Sequence, residues 1–155
     1  MQVRVAKAGD AGAIVSVINA AFRVAEGFLI DRDRIDMETV QELFRKGTFL
    51  VAEDTSVCGC VYVEPREAGR SYLGLLAVEP HVQKAGLGSQ LMHAAEGYCA
   101  QAGSRFMDLR IVSVRKELPA FYHRQGYVET GTEPFTAGLT PKVPCHFVWM
   151  SKSLI

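Results

Sequence analysis

The chain has 155 residues, of which 48% are hydrophobic and 22% charged, a composition typical of one globular domain over residues 1–155. Its 17 basic and 17 acidic side chains cancel to a formal net charge of zero, so no overall field attracts it to nucleic acid or to an anionic membrane. No apolar run approaches the ~20 residues of a membrane-spanning helix, and we therefore expect a cytoplasmic protein without a nucleic-acid or membrane partner.

Helical and strand-like patterns alternate in the first half of the chain. Residues 3–6 alternate as a strand does, and apolar spacing predicts a helix over residues 10–24. A second helix, over residues 36–46, ends at a glycine. Three β-rich runs then predict antiparallel strands, at residues 48–52, 57–63 and 71–78.

The second half begins with the clearest helical pattern, one apolar stripe over residues 87–102. The apolar run 105–112 follows this helix, and a strand reached through a helix pairs parallel to the strand before it. A short helix at 119–125 and strands at 127–130 and 145–150 complete the chain. The sequence therefore predicts an α/β (α+β) fold with a mixed sheet of about seven strands and about four helices.

Residues 83–88, Gln-Lys-Ala-Gly-Leu-Gly, lie between a predicted strand and a predicted helix. Gly86 and Gly88 let the backbone approach a ligand closely, and the helix N-terminus behind them carries about half a positive charge. This arrangement is typical of a phosphate site. Its spacing matches neither the loop of nucleotide-hydrolysing enzymes nor the dinucleotide fingerprint, because Lys84 precedes the glycines and Gln90 and Leu91 follow them.

Two motifs carry a family resemblance. Gln-x-x-Gly-x-Gly at 83–88, after a strand that ends Leu-Ala-Val at 76–78, resembles the pyrophosphate loop of the GNAT acetyltransferases. Phe-Tyr-x-x-x-Gly-Tyr at 121–127 is similar to the aromatic motif that this family carries on its penultimate helix and the next strand. The order of predicted elements resembles the GNAT fold along nearly the whole chain. The resemblance implies a sheet splayed between its fourth and fifth strands, with acetyl-CoA (coenzyme A) as co-substrate and no metal.

The resemblance also implies site residues. The fourth strand of the family carries a bulge that opens a slot for the pantetheine arm, and an N–H there polarises the thioester carbonyl. Tyr122 matches the family tyrosine that acts as general acid towards the departing thiolate. The coenzyme-binding residues expected on this basis are Leu76, Ala77, Val78, Gln83, Lys84, Ala85, Gly86, Leu87, Gly88 and Ser89.

The general base is not assigned by the resemblance, because residues 71–76 have no carboxylate where several relatives carry one. Glu26, between the first two helices, and Glu64, at a strand end, are the candidate bases, and proton loss through ordered water is an alternative. Arg115 occupies a position where many relatives carry asparagine, and whether it contacts the coenzyme is open.

The four cysteines and four histidines form no pattern typical of a metal site. Cys58 and Cys60 are two apart on a predicted strand, so we expect both to face the same side. Buried, reduced thiols are the interpretation that we favour for all four cysteines over a metal site or a redox pair.

The sequence therefore predicts an N-acetyltransferase that moves an acetyl group directly to a primary amine of a small molecule or peptide. The irregular segments 22–36 and 132–144 should contact the acceptor, and they lack the acidic cluster that a polyamine would need. One alternative is a non-catalytic acyl-CoA-binding sensor or interaction module on the same fold, and another is an unrelated α/β fold that binds another nucleotide. The apolar run 147–150 fits a homodimer contact and equally a buried strand.

Overall fold

The computed structural model describes residues 2–27, 33–135 and 141–155, with the side chains of residues 83–85 excepted. The strands in these residues are β1 (Gln2–Val5), β2 (Thr48–Glu53), β3 (Val57–Pro65), β4 (Arg70–Val78), β5 (Phe106–Val112), β6 (Val128–Pro134) and β7 (His146–Ser153). They form one mixed sheet in the order β1-β2-β3-β4-β5-β7-β6. The pair β4 and β5 is parallel and the other neighbours are antiparallel. The sequence predicts this orientation for β2, β3, β4 and β5.

Helices cover both faces of the sheet. The helices of the described residues are α1 (Ala11–Glu26), α2 (Met37–Lys46), α3 (Leu87–Gln101) and α4 (Leu118–Arg124). On one face α1 and α2 pack against β2 and β3, with Ile14, Ile18 and Val40 fully buried. On the other face α3 and α4 form a second core. The element order and the single mixed sheet, covered by helices on both faces, confirm the predicted fold class.

The helix α1 and the turn before it, Ala8–Glu26, are long and apolar enough by length and composition to cross a membrane. In the fold, Ile14, Val17 and Ile18 are at most 1% exposed because they pack against the sheet. Burial of one helical face in a core accounts for the apolar composition of this segment.

The boundaries of the last strands differ from the prediction. The polar strand β6 extends to Pro134, beyond the predicted residues 127–130, because its backbone pairs with β7 as far as His146. As an exposed edge strand it shows no alternation of apolar residues. The apolar run 147–150 lies in β7, between β5 and β6, so its Phe147 and Met150 are buried within this chain.

The prediction that Cys58 and Cys60 face the same side is wrong. A register irregularity between β2 and β3 falls beside Cys58, and an extra residue there reverses the direction of the side chain. Cys58 therefore packs in the core under α3, whereas Cys60 packs in the core under α1. The four cysteines form no disulfide; three of them are buried, and the expectation of burial fails for Cys145, which is half-buried. In the part of the chain that the structure describes, no group of three or more His, Cys, Asp or Glu side chains could hold a metal ion.

Candidate active site

The parallel strands β4 and β5 separate along their course. Their ladder begins at Arg70 and ends at Tyr72, although β4 continues to Val78. Beyond Tyr72 no ladder pair joins the two strands in the described residues. The predicted splay between the fourth and fifth strands is therefore confirmed.

A β-bulge in β4 lies beside this separation. The pairing of β4 with β3 jumps from Gly74 to Ala77, so Leu75 and Leu76 together stand opposite a single residue of β3. Leu75 has φ +54°, in the left-handed region that residues other than glycine rarely adopt. The bulge thus begins one residue before the run 76–78 in which we expect it. Such a bulge leaves backbone N–H and C=O groups without ladder partners.

A cavity of about 630 Å³ lies between the separated strands, a volume typical of small-molecule and cofactor sites. Its wall includes the bulged part of β4, the end of β5, and the N-terminus of α3 at Gly86. It also includes Tyr122 of α4, Glu26 at the end of α1, and Phe135 at the end of β6. One cavity therefore connects the predicted phosphate loop with both segments predicted to contact the acceptor.

The predicted phosphate loop has the backbone geometry of an anion cradle. Gly86 has φ +70° and ψ +19°, a left-handed conformation that glycine adopts without strain. The first backbone hydrogen bond of α3 runs from the Gln90 N–H to the Gly86 carbonyl, at 3.2 Å. The N–H groups of residues 87–89 precede that bond, so they have no acceptor within the helix. These donors, together with the helix dipole, fit a phosphate group.

The expected coenzyme-binding residues occupy different positions around this loop. Leu87 is 1% exposed and packs in the core, so only its backbone can reach a ligand. The Ser89 hydroxyl accepts a hydrogen bond from the Gln125 amide at 2.9 Å. The side chains of Gln83, Lys84 and Ala85 lie outside the described residues. The residues of the set that line the cavity are Leu76, Ala77, Val78, Gly86, Gly88 and Ser89.

Tyr122 lies on the cavity wall, on α4, with 7% of its surface exposed. Its ring packs edge-on against Phe121 and Tyr127, at centroid distances of 5.0 and 6.0 Å. Burial raises the pKa of Tyr122 to about 12, while the nearby charge of Arg115 acts in the opposite direction. No group among the described residues is hydrogen-bonded to its hydroxyl, which therefore keeps its proton and is available to a ligand in the cavity.

Glu26 and Arg115 form an ion pair on the cavity wall. The Arg115 Nη1 donates to Glu26 Oε2 at 2.6 Å, and the two side chains are 12% and 8% exposed respectively. Arg115 also bonds the more exposed carboxylate of Glu117, at 3.1 Å. The contact joins the end of α1 to the segment that precedes α4. Arg115 is therefore a residue of this cavity, where it fixes the position of a buried carboxylate.

Glu64, the other candidate base, is not among the described residues that line this cavity. One of its oxygens accepts the Tyr62 hydroxyl at 2.7 Å, and the other pairs with Arg66 Nε at 2.7 Å. Both candidate bases are thus held by neighbours, but the structure brings only Glu26 into the cavity with Tyr122.

Sequence reasoning missed three arginines of the cavity wall, Arg34, Arg110 and Arg124. Arg110 lies in β5, which the apolar composition predicts as a buried strand. The signal that could have identified it is the spacing of Asp108 and Arg110, since charged residues two apart share one face of a strand. Phe28, within the segment expected to contact the acceptor, lies outside the described residues.

Comparisons with known proteins agree with this geometry. A family model described as an acetyltransferase (GNAT) domain matches residues 45–129. No curated protein sequence matches the chain significantly. The structure of ribosomal-protein-alanine N-acetyltransferase from Brucella melitensis is 20% identical to this chain, with a TM-score of 0.80 and 99% of each chain covered.

Two further solved structures contain a coenzyme. An aminoglycoside 6'-N-acetyltransferase complexed with coenzyme A is 17% identical, with a TM-score of 0.79 over 100% of this chain and 98% of its own. YncA from Salmonella typhimurium, solved with its cofactor acetyl-CoA, is 23% identical, with a TM-score of 0.74 over 100% of this chain and 94% of its own. At these identities the likeness establishes a shared fold.

Proposed function

Because the chain belongs to the GNAT acetyltransferase family, we propose that it transfers an acetyl group from acetyl-CoA directly to a primary amine of a small molecule or peptide. The observation that carries this proposal is the cavity between β4 and β5, whose wall includes the N-terminus of α3, Tyr122 and Glu26. The proposed diphosphate site, proton donor and base therefore line one cavity.

The cavity fits acetyl-CoA through features of this chain. The N–H groups that begin α3 suit a diphosphate, and the backbone groups freed by the bulge at Leu75 suit the amides of a pantetheine arm. Structural neighbours that hold coenzyme A or acetyl-CoA support the same assignment. The thioester supplies the activated acetyl group. We assign a backbone N–H of the bulged strand β4 to stabilise the negative charge that develops on the thioester carbonyl oxygen.

Acetyl transfer forms a C–N bond, breaks a C–S bond and moves protons. An alkyl ammonium has a pKa near 10.4, so at neutral pH it must lose a proton before its nitrogen can attack. The nitrogen loses two protons in the whole reaction. One of them ends on the sulfur of coenzyme A, and the other is released. We assign Glu26 to the first removal and Tyr122 to protonation of the sulfur. Arg115 lies close enough to stabilise the tyrosinate that this second transfer leaves.

The two candidate bases are separated by a pair of matched substitutions. Glu26→Gln should lower kcat/KM for the acceptor by about 100-fold, because general-base catalysis contributes at least this much and water can replace the carboxylate only poorly. Glu64→Gln should keep the wild-type value, since Glu64 is not on the cavity wall. Steady-state kinetics measure kcat/KM for both variants. Calorimetric titration with coenzyme A checks that cofactor binding is retained. Loss of activity in Glu64→Gln alone would move the base to Glu64.

The activity itself is tested by incubating the purified protein with acetyl-CoA and a broad panel of primary amines. Free thiol is followed with a colorimetric reagent, and acetylated amine by mass spectrometry. Thiol release that depends on an amine, with a matching N-acetyl product, is the expected result. Tight binding of coenzyme A without acceptor-dependent thiol would instead identify an acyl-CoA sensor on the same fold. Stronger thermal stabilisation by a nucleotide that lacks pantetheine would point to another ligand.

A further inference from the structure

We infer that the acceptor amine carries a carboxylate, and that Arg110 is the side chain that selects it. This inference rests on the proposed acetyl transfer and specifies its substrate class. It starts from the distribution of charged and aromatic side chains in the part of the cavity opposite the phosphate loop, where the bulged strand no longer pairs with β5.

Arg110 is held in place with most of its hydrogen-bond donors unused. Its guanidinium lies over the Phe147 ring at 4.0 Å and near the Trp149 ring at 5.8 Å. Nη1 donates to Glu133 Oε1 at 2.5 Å, and no other acceptor for this guanidinium occurs among the described residues. A guanidinium has five N–H donors arranged to bind a carboxylate in a bidentate manner. Arg110 can therefore bind a second carboxylate without giving up Glu133.

A second guanidinium on the same wall has no carboxylate partner in the described part of the chain. Arg34 lies over the Phe22 ring at 5.5 Å, and both residues line the cavity. The neighbouring Asp33 pairs with Arg23, at 2.7 Å. Stacking on a ring keeps an arginine ordered while its edge stays free for an anion.

The described carboxylates of this part of the wall are all paired with arginines. Glu26 and Glu117 share Arg115, and Asp33 pairs with Arg23. Because no carboxylate is left without a cationic partner among these described residues, whereas Arg34 has no anionic one, a polycationic acceptor is disfavoured and one with an anionic group is favoured. Glu26 is nevertheless placed to meet a single ammonium group. The chemistry that fits is one amine and one carboxylate on the same small molecule.

The aromatic side chains of the cavity wall indicate that the acceptor also carries an apolar or aromatic group. Phe135 stacks on Phe147 with centroids 5.0 Å apart, and both line the cavity together with Phe22. An apolar or aromatic group between the amine and these rings would be enclosed by aromatic surface. Apolar α-amino acids and short peptides that end in them have all three features.

The test compares matched acceptors that differ only in the charged group. The probes are phenylalanine, its carboxamide and its decarboxylated amine, and likewise leucine and its two counterparts. For the wild-type protein, kcat/KM should be about 10- to 100-fold higher for the acid than for either counterpart, the range of a charge-assisted hydrogen bond. Equal or faster acetylation of the uncharged counterparts overturns the inference and leaves the acetyltransferase function in place.

Variants assign the preference to Arg110. In Arg110→Gln the preference for the acid should disappear, mainly through a raised KM with little change in kcat, whereas Arg110→Lys should retain part of it. The matched control is Arg70→Gln. Arg70 also stacks on a ring, that of Phe106 at 4.7 Å, and pairs with a carboxylate, Asp108, but it is not on the wall of this cavity.

The possible outcomes separate an error in the role of Arg110 from an error in the proposed function. A preference for acids that Arg110→Gln leaves intact, or that Arg70→Gln removes equally, contradicts the role of Arg110. If no amine of any class is acetylated while coenzyme A binds, the proposed function fails, and the acceptor inference fails with it. The two failures can be told apart. The wild-type protein still acetylates amines if only the role of Arg110 is wrong, and it acetylates none if the proposed function is wrong.

Discussion

Tyr122→Phe is expected to lower the rate of the acetyl-transfer step by about 100- to 10,000-fold, the contribution of a positioned general acid. The substitution removes one hydroxyl from a buried ring and nothing else. Because no described residue is hydrogen-bonded to that hydroxyl, its removal leaves no unsatisfied partner and should not lower stability. The affinity for coenzyme A should also stay unchanged, since the diphosphate site that we propose lies at the N-terminus of α3.

The chemical step is measured under single-turnover conditions, because slow product release would hide the effect in steady-state assays. The loss should be constant between neutral pH and about pH 10, since burial raises the pKa of Tyr122 to about 12 and keeps the wild-type phenol protonated there. A phenylalanine variant that performed the step at the wild-type rate would remove Tyr122 from the mechanism.

Tyr127→Phe is the matched control for the loss of a buried hydroxyl. The Tyr127 hydroxyl donates to Glu96 at 2.9 Å, and Lys152 donates to the other oxygen of the same carboxylate, also at 2.9 Å. Its removal should lower the free energy of unfolding by about 1.5–3 kcal/mol, the range for a hydrogen bond to a charged group. The single-turnover rate should be retained. The two variants thus separate catalysis from stability.

Gly86→Val should reduce the affinity for coenzyme A by about 100-fold or more, because the cradle would lose several charge-assisted hydrogen bonds at once. The cause is backbone conformation. A Cβ at Gly86 would meet no atom within 4 Å, but at φ +70° a β-branched residue is strongly disfavoured. The loop would therefore leave the geometry that aims its N–H groups at the diphosphate. Calorimetric titration with coenzyme A measures the loss.

Three further substitutions test that explanation. Gly86→Asn should retain more affinity than valine, since asparagine tolerates the left-handed region. Gly88→Ala should have a smaller effect, because its Cβ would lie at an ordinary contact distance of 3.5 Å from the Phe121 ring. Gly97→Ala, in the middle of α3 with nothing within 4 Å of its Cβ, should leave binding unchanged. Equal damage from asparagine and valine would show that side-chain volume, not backbone conformation, governs the site.

The sequence by itself determined the order of the elements and the place of the phosphate loop. Helical and strand periodicities depend on residues within a few positions of one another, so they can be read before the fold is known. The cradle is also local, because Gly86 adopts its left-handed conformation at the start of α3. The position of Tyr122 came from a short motif on one helix. Each of these features lies within one or two consecutive elements.

The tertiary structure decided which of the distant charged residues meet. Glu26 and Arg115 are 89 positions apart, and their contact exists because the end of α1 packs beside the segment that precedes α4. That packing places Glu26, and not Glu64, on the wall of the cavity. Arg110 lies over Phe147 because β5 pairs with β7, and no spacing within either strand encodes this register. Local patterns specify elements and loops, whereas the chemistry of the acceptor side depends on how those elements pack.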